Sequence, residues 1–310
     1  MYVYTNPTKS VFEYPGTPQT KRSDLPISIQ RPDVTVSSIS VPATSTGSQP
    51  ISISYQLLNN GPGGVFNHLR HDRVYISNSA VFDGSAQLID SIVFTENLQV
   101  GTAVPHTFVY NLPPGTSGTK YFYVFTNYDS LFRETNYSNN ISAAAATSVT
   151  AATPADLVVS SVQPDDSVFT IYPEKIIYNV SNSGSGVTTG TWTDSVFISC
   201  NPVFSPASSY FIGKKSQTRT VAASGNYTDS LTVFMKYAFE YNLCFPEAQT
   251  GNAYFFVKTN ADTGCYEASA INNNIGGSGI KPIVNPLVDH IVPVVTGADV
   301  TAVGASFTLD

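Results

Sequence analysis

Apolar and polar residues alternate along this chain in short runs. Ile51, Ile53, Tyr55 and Leu57 share one parity, and so do Ile176, Tyr178 and Val180. A period of two puts such residues on one face of a β-strand, the face turned toward a core. Runs rich in Val, Ile, Tyr, Phe and Thr return at roughly 8–15 residue spacing, separated by Gly, Pro, Asn and Ser clusters, which is the pattern of a sandwich or barrel. No stretch holds a 3.6-residue period over the roughly 11 residues that identify a helix. The Ala- and Thr-rich stretch from Ser142 to Thr153 contains four consecutive alanines. Its flanking β-branched residues and Pro154 predict an extended segment that continues the last strand and crosses to the next unit.

The strand pattern repeats. Pro32-Asp33-Val34-Thr35-Val36 returns as Ala155-Asp156-Leu157-Val158-Val159, and again near Val288-Asp289-His290-Ile291. Three aromatic runs end in Thr-Asn, at Thr5-Asn6, Thr126-Asn127 and Thr259-Asn260. Each is followed by a glutamate at the same spacing: Glu13, Glu134 and Glu267. Self-similarity at domain-sized period marks an array. The reading is all-β: tandem immunoglobulin-like sandwiches of seven strands, with incomplete repeats at both chain ends. Residues 1–31 are the closing strands of a preceding repeat. Residues 32–153 and 154–286 are complete sandwiches, and 287–310 open a following one. On this register the chain is a piece of a longer array.

Particular positions have structural roles in this reading. Asn59, Gly61 and Gly63 and their counterparts Asn182, Gly184 and Gly186 mark a turn expected to need positive φ. Trp192 shares the parity of Val196 and Ile198 and belongs to a core. Asp72 and Asp194 share core parity too. They are read as rim carboxylates accepting backbone N–H bonds.

Composition narrows the function. Charged residues make up 12% of the 310, about half the usual share, and the net charge is -7. No Lys/Arg cluster exists to neutralise phosphates, which argues against nucleic acid and anionic membrane surfaces as partners. No apolar run approaches the roughly 18 residues of a membrane span, and the first residues do not read as a signal peptide. Cys200, Cys244 and Cys265 form neither a disulfide framework nor a CxxC metal site. If a bridge forms, the strand order favours Cys200 with Cys244.

The combined pattern resembles the CARDB family, a cell-adhesion-related domain of bacteria. The resemblance rests on Asp156-Leu157-Val158-Val159, on the Asn182-x-Gly184-x-Gly186 turn and on Trp192 through Ser199. It also rests on Glu267 with Asn272-Asn273, matched in the first unit by Glu134 with Asn139-Asn140. Arg70 stands where the second unit has Trp192. The resemblance implies a seven-stranded immunoglobulin-like fold in long secreted or surface proteins, and it implies no catalytic residues.

No nucleophile–base constellation recurs, and no catalytic motif is present. His68 and His71 fall on opposite faces of a predicted strand, the wrong geometry for a shared metal. Calcium candidates are Asp72, Asp194, Glu134, Asp156, Glu267 and Asp289, the glutamates and opening aspartates meeting at domain junctions. Against this stands a plainer reading of the repeated glutamate as an edge-strand guard against sheet-to-sheet pairing. The plainer reading is preferred, with no cofactor. An aromatic platform for sugars is set aside in favour of core filling. The functional reading is a structural or adhesion module of a large exported or cell-surface protein, monomeric, contacting neighbouring domains and a surface or glycan ligand through its loops. The alternative is an accessory, carbohydrate-binding module of a secreted hydrolase.

Overall fold

In the computed structural model, residues 28–236 and 251–284 are described, together with strand backbone at Tyr2–Tyr4, Thr20–Arg22 and Thr250. Glu13, Cys244 and Asp289 lie outside the described residues. The chain divides into two compact units, Met1–Ala152 and Thr153–Asp310.

In the first unit β1 (Tyr2–Tyr4) and β2 (Thr20–Arg22) pair antiparallel. Two further sheets follow. One holds β3 (Val34–Ser40), β5 (Pro50–Asn59) and β8 (Ala103–Asn111), in that order. The other holds β4 (Thr44–Thr46), β10 (Ala145–Thr150), β9 (Gly118–Phe125), β6 (Arg70–Ser77) and β7 (Gln87–Phe94). All neighbours run antiparallel except β4, which lies parallel to β10. The entering chain therefore serves both sheets: β3 pairs with β5, then β4 crosses to the opposite sheet.

The alanine run leads into a strand: its last two residues open β10, with the β-branched residues that follow. Along β10 burial alternates strictly, with Ala145, Thr147 and Val149 inward. Ile51, Ile53, Tyr55 and Leu57 all point inward from β5 and pack with Val74, Ile76, Phe122, Val124 and Val149.

The second unit repeats this plan. β11 (Leu157–Gln163), β13 (Pro173–Asn182) and β16 (Asn226–Phe234) form one sheet. The facing sheet contains β12 (Val168–Phe169), β19 (Lys281–Val284), β17 (Thr250–Lys258), β14 (Trp192–Ser199) and β15 (Ser209–Gln217), with β18 (Ile275–Gly277) also on β17. β12 lies parallel to β19, as β4 does to β10. The opening strands carry a register shift at the same place, between Val36 and Ser38 and between Val159 and Ser161. Trp192 is completely buried, in a core with Tyr178, Val196, Phe255 and Cys265. The one helical segment among the described residues is a single 3-10 turn, Ala270–Asn273.

Outward-facing aromatics are covered as well. Phe82 meets Tyr75 and Tyr123 edge-on at centroid distances of 5.1 and 5.3 Å. Phe204 does the same to Phe197 and Phe256 at 5.1 and 5.6 Å. In each case the loop after the central strand folds a phenylalanine back over the sheet.

Candidate functional site

The repeated Thr-Asn…Glu spacing builds a buried polar latch in both units. The chain leaves β9 and turns at Asn127, whose φ is 45°; it leaves β17 and turns at Asn260, φ 47°. Asparagine tolerates this left-handed conformation better than most residues. The side chain then holds the turn. Asn127 Oδ1 accepts the Leu131 N–H at 3.0 Å, and its Nδ2 donates to Glu134 Oε1 at 2.6 Å. Asn140 Nδ2 donates to the same oxygen at 2.7 Å, and the backbone N–H of Val34 donates to Glu134 Oε2 at 2.5 Å. In the second unit Glu267 receives Asn260 Nδ2, Asn274 Nδ2 at 2.5 Å and the Leu157 N–H. The glutamate thus ties the end of each unit to the first residue of its opening strand.

This corrects the reading of Glu134 and Glu267 as edge-strand guards. Neither lies on a strand, and both are buried, at 3% and 2% exposure. Burial raises the Glu134 carboxyl above its ordinary range, opposed by the donors from Asn127, Val34 and Asn140. The paired asparagines shift by one as well. Asn273 holds Asp156 Oδ1 at 2.8 Å as Asn139 holds Asp33 Oδ1 at 3.0 Å. Asn274, beyond the quoted pair, is therefore the counterpart of Asn140.

A second asparagine pins the same end. Asn59 Oδ1 accepts the N–H groups of Asp33 and Gly61 at 3.0 and 3.1 Å, while Nδ2 donates to the carbonyls of Gly63 and Leu98 at 2.8 and 3.2 Å. Asn182 repeats every contact, to Asp156, Gly184, Gly186 and Val221. The glycines serve a different need from the one expected. None of the four has positive φ. A Cβ on Gly61 would lie 2.5 Å from the Pro32 carbonyl carbon, and one on Gly184 would lie 2.6 Å from that of Ala155. The entering chain passes directly over the turn, and only glycine leaves room.

The threonine of each Thr-Asn pair reaches a carboxylate in the core. Thr126 Oγ1 donates to Asp72 Oδ1 at 2.6 Å, and Thr259 Oγ1 to Asp194 Oδ1 at 2.7 Å. These aspartates are completely buried between the sheets rather than set at the rim, and their partners are side chains. Asp72 binds Arg70 through Nε at 3.0 Å and also accepts the Tyr55 hydroxyl at 3.3 Å. Asp194 has Trp192 in place of Arg70. It is held by neutral donors: Tyr178 at 3.1 Å, Tyr227 at 2.9 Å and Gln217 Nε2 at 2.8 Å. Burial raises the Asp194 carboxyl, and these four hydrogen bonds oppose the shift.

The surroundings change in concert. Register places Phe94 opposite Arg70 and Gln217 opposite Trp192. Arg70 sits 4.6 Å over the Phe94 ring, whereas Gln217 bridges Asp194 to Asp229 Oδ2 at 3.0 Å. The charged partners at one position are exchanged. The first unit joins Glu96 to His106 at 2.9 Å; the second joins Arg219 to Asp229 at 2.8 Å. Burial lowers the His106 pKa and the Arg70 charge adds to it, with Glu96 opposing. Asp229 is held below the ordinary carboxylate range: burial works to raise it, but Lys215 and Gln217 prevail.

His68 precedes β6 and stacks near Phe132 at 6.1 Å, while His71 Nδ1 lies 2.5 Å from Asp129, so the two histidines do not meet. Among the described residues no three His, Cys, Asp or Glu side chains gather as metal ligands. Cys265 is a buried free thiol in the loop held by Asn260, not the start of a strand. The bridge expected from Cys200 involves Cys244, outside the described residues. Among the described residues no helix is long and apolar enough to cross a membrane.

Residues 31–144 match the CARDB family. The first unit therefore carries a CARDB domain, a cell-adhesion-related module found in bacteria. No curated protein matches the chain. Among solved structures, a CARDB domain from Pyrococcus furiosus, crystallised in complex with di-metal ions, is 19% identical. The match covers 40% of this chain and 99% of that one, with a TM-score of 0.31. A solution structure of the Pyrococcus furiosus domain is 20% identical, covering 39% and 98% at a TM-score of 0.30. Red sea bream transglutaminase is 10% identical, covering 84% of this chain and 32% of that one, with a TM-score of 0.25.

Proposed function

We propose that this chain is a structural or adhesion segment of a large exported or cell-surface protein. In this reading both units are CARDB sandwiches in tandem. They act as a spacer that projects other modules, with adhesive contacts made by loops. The observation that carries the reading is the recurrence of the latch. Both units repeat the same buried contacts to the entering strand and the closing loop, and Glu134 and Glu267 each accept three N–H donors. Groups so engaged stabilise a framework rather than present reactive atoms to a substrate. No catalytic role is assigned to the chain.

Small-angle scattering of the whole chain tests the spacer role. A spacer is expected to give an extended profile. A compact profile would overturn the spacer.

A further inference from the structure

A cavity of about 370 Å³ opens in the first unit between the end of β6, the start of β7 and the loop joining β8 to β9. Asn78, Gln87, Tyr110, Thr116, Ser117 and Lys120 line it. The volume lies at the lower end of the range for small-ligand sites, roughly 300–1,000 Å³. Its frame is fixed. The loop opens with Pro113-Pro114, Thr116 N–H bonds back to the Pro113 carbonyl at 3.0 Å, and the Pro114 carbonyl accepts the Ala152 N–H at 2.9 Å. Leu112, just before it, is buried in the core.

The lining is not required by the fold, as the second unit demonstrates. Ile76 pairs with Gln87 and Phe122, while Ile198 pairs with Tyr210 and Phe255. That register puts Cys200 at the position of Asn78, Tyr210 at Gln87 and Ala253 at Lys120. Val233 stands at the position of Tyr110. Ser77, by contrast, returns as Ser199, and both hydroxyls accept a backbone N–H two residues on, at 3.0 and 3.1 Å. The serine is structural and recurs. The amides, the lysine and the tyrosine are peculiar to the first unit.

We propose that this cleft binds an acidic saccharide, a sugar carrying a carboxylate. Lys120 Nζ donates to the neutral Asn78 Oδ1 and forms no ion pair among the described residues. In a chain of net charge -7, a cation beside hydroxyls and amides attracts a carboxylate through a charge-assisted hydrogen bond. Thr116, Ser117, Asn78 and Gln87 both donate and accept, which suits sugar hydroxyls. The half-buried Tyr110 ring offers an apolar face to the sugar's C–H surface. The site gives the adhesive loops proposed above a ligand class. It stands or falls independently of the spacer role, because a compact particle can still bind and an elongated one can fail to.

Isothermal titration calorimetry of the whole chain tests it. The acidic probes are tri-galacturonic acid, a glucuronate-containing oligosaccharide and sialyllactose; the neutral probes are galactotriose and lactose. Saturable binding is expected for at least one acidic probe, at least about tenfold tighter than for its neutral counterpart. Lys120→Met should weaken it about tenfold or more, and raised salt should weaken it too. Thr116→Ala, a milder change on the same wall, should weaken it several-fold, with near-ultraviolet circular dichroism unchanged in both variants. The proposal is overturned if no acidic probe binds saturably, if neutral probes bind equally well, or if Lys120→Met binds like the parent.

Discussion

Arg70 and Asp72 form an ion pair buried between the two sheets of the first unit, with both side chains almost wholly removed from water. The corresponding carboxylate of the second unit, Asp194, has no cation in contact among the described residues and rests on hydroxyls and an amide. The same substitution should therefore have unequal consequences. Asp72→Asn leaves Arg70 buried with only the half-exposed Glu96 as counter-charge, and should cost about 3–5 kcal/mol. Asp194→Asn should cost less than about 1 kcal/mol, because hydroxyl donors can rotate to accept from the new amide. Urea denaturation read by hydrogen exchange at Val74 and Val159 separates the units. Equal losses would refute the distinction.

Removing the latch should loosen the first strand of a unit before the rest. Glu267→Ala leaves the Leu157 N–H and two asparagine amides without their acceptor, at about 1–3 kcal/mol for each buried group. The expected result is a loss of about 3–5 kcal/mol in the second unit, with fast exchange at Leu157. Protection at Leu157 equal to that of the parent would show that the contact is dispensable.

Mild acid should affect the first unit selectively. The His106 pKa is lowered from 6.5 by burial. The stability this gives is present above pH 6.5 and lost as the pH falls, because the unfolded chain takes up the proton more readily. Asp229, at the equivalent position, is lowered from 3.8, so its contribution holds until well below pH 5. Asp194 and Glu134 are shifted the other way; their contributions are present at low pH and fade as it rises. Hydrogen exchange from pH 7.5 to 5.5 should show the first unit weakening relative to the second. His106→Phe should abolish the difference between these two pH values.

Trp192 fills the centre of its sandwich and donates from Nε1 to the Tyr227 hydroxyl at 3.4 Å. Trp192→Ala should cost about 3–5 kcal/mol, the range for emptying a core position of this size. In the parent protein its emission should be blue-shifted, since the indole meets no water. Emission typical of free tryptophan would contradict the packing.

Much of this framework was legible in the residues. Parity alone placed Ile51, Ile53, Tyr55 and Leu57 inward, and the same count placed Trp192 in the core. The spacing of Thr126-Asn127 to Glu134 was visible too, yet its meaning was not. Val34 and Glu134 stand 100 residues apart, and no local pattern reports that one binds the other. The turn at Asn127 also breaks the strand period, so parity carried past it assigns the glutamate to a strand the chain has already left. Spacing suggests positive φ at the glycines, but their role is clearance, which depends on a second segment crossing above them. The roles of Asp72 and Asp194 needed the Arg70 and Trp192 surroundings to be seen together.

The parallel pairing of β4 with β10, and of β12 with β19, has a mechanical consequence. The first of each pair lies near the beginning of its sandwich and the second near the end. Tension pulling the two ends apart would slide these strands lengthwise past each other. Their hydrogen bonds would then share the load and break together, rather than opening one by one like a zipper. A unit joined this way resists stretching along the chain much better than peeling from its side.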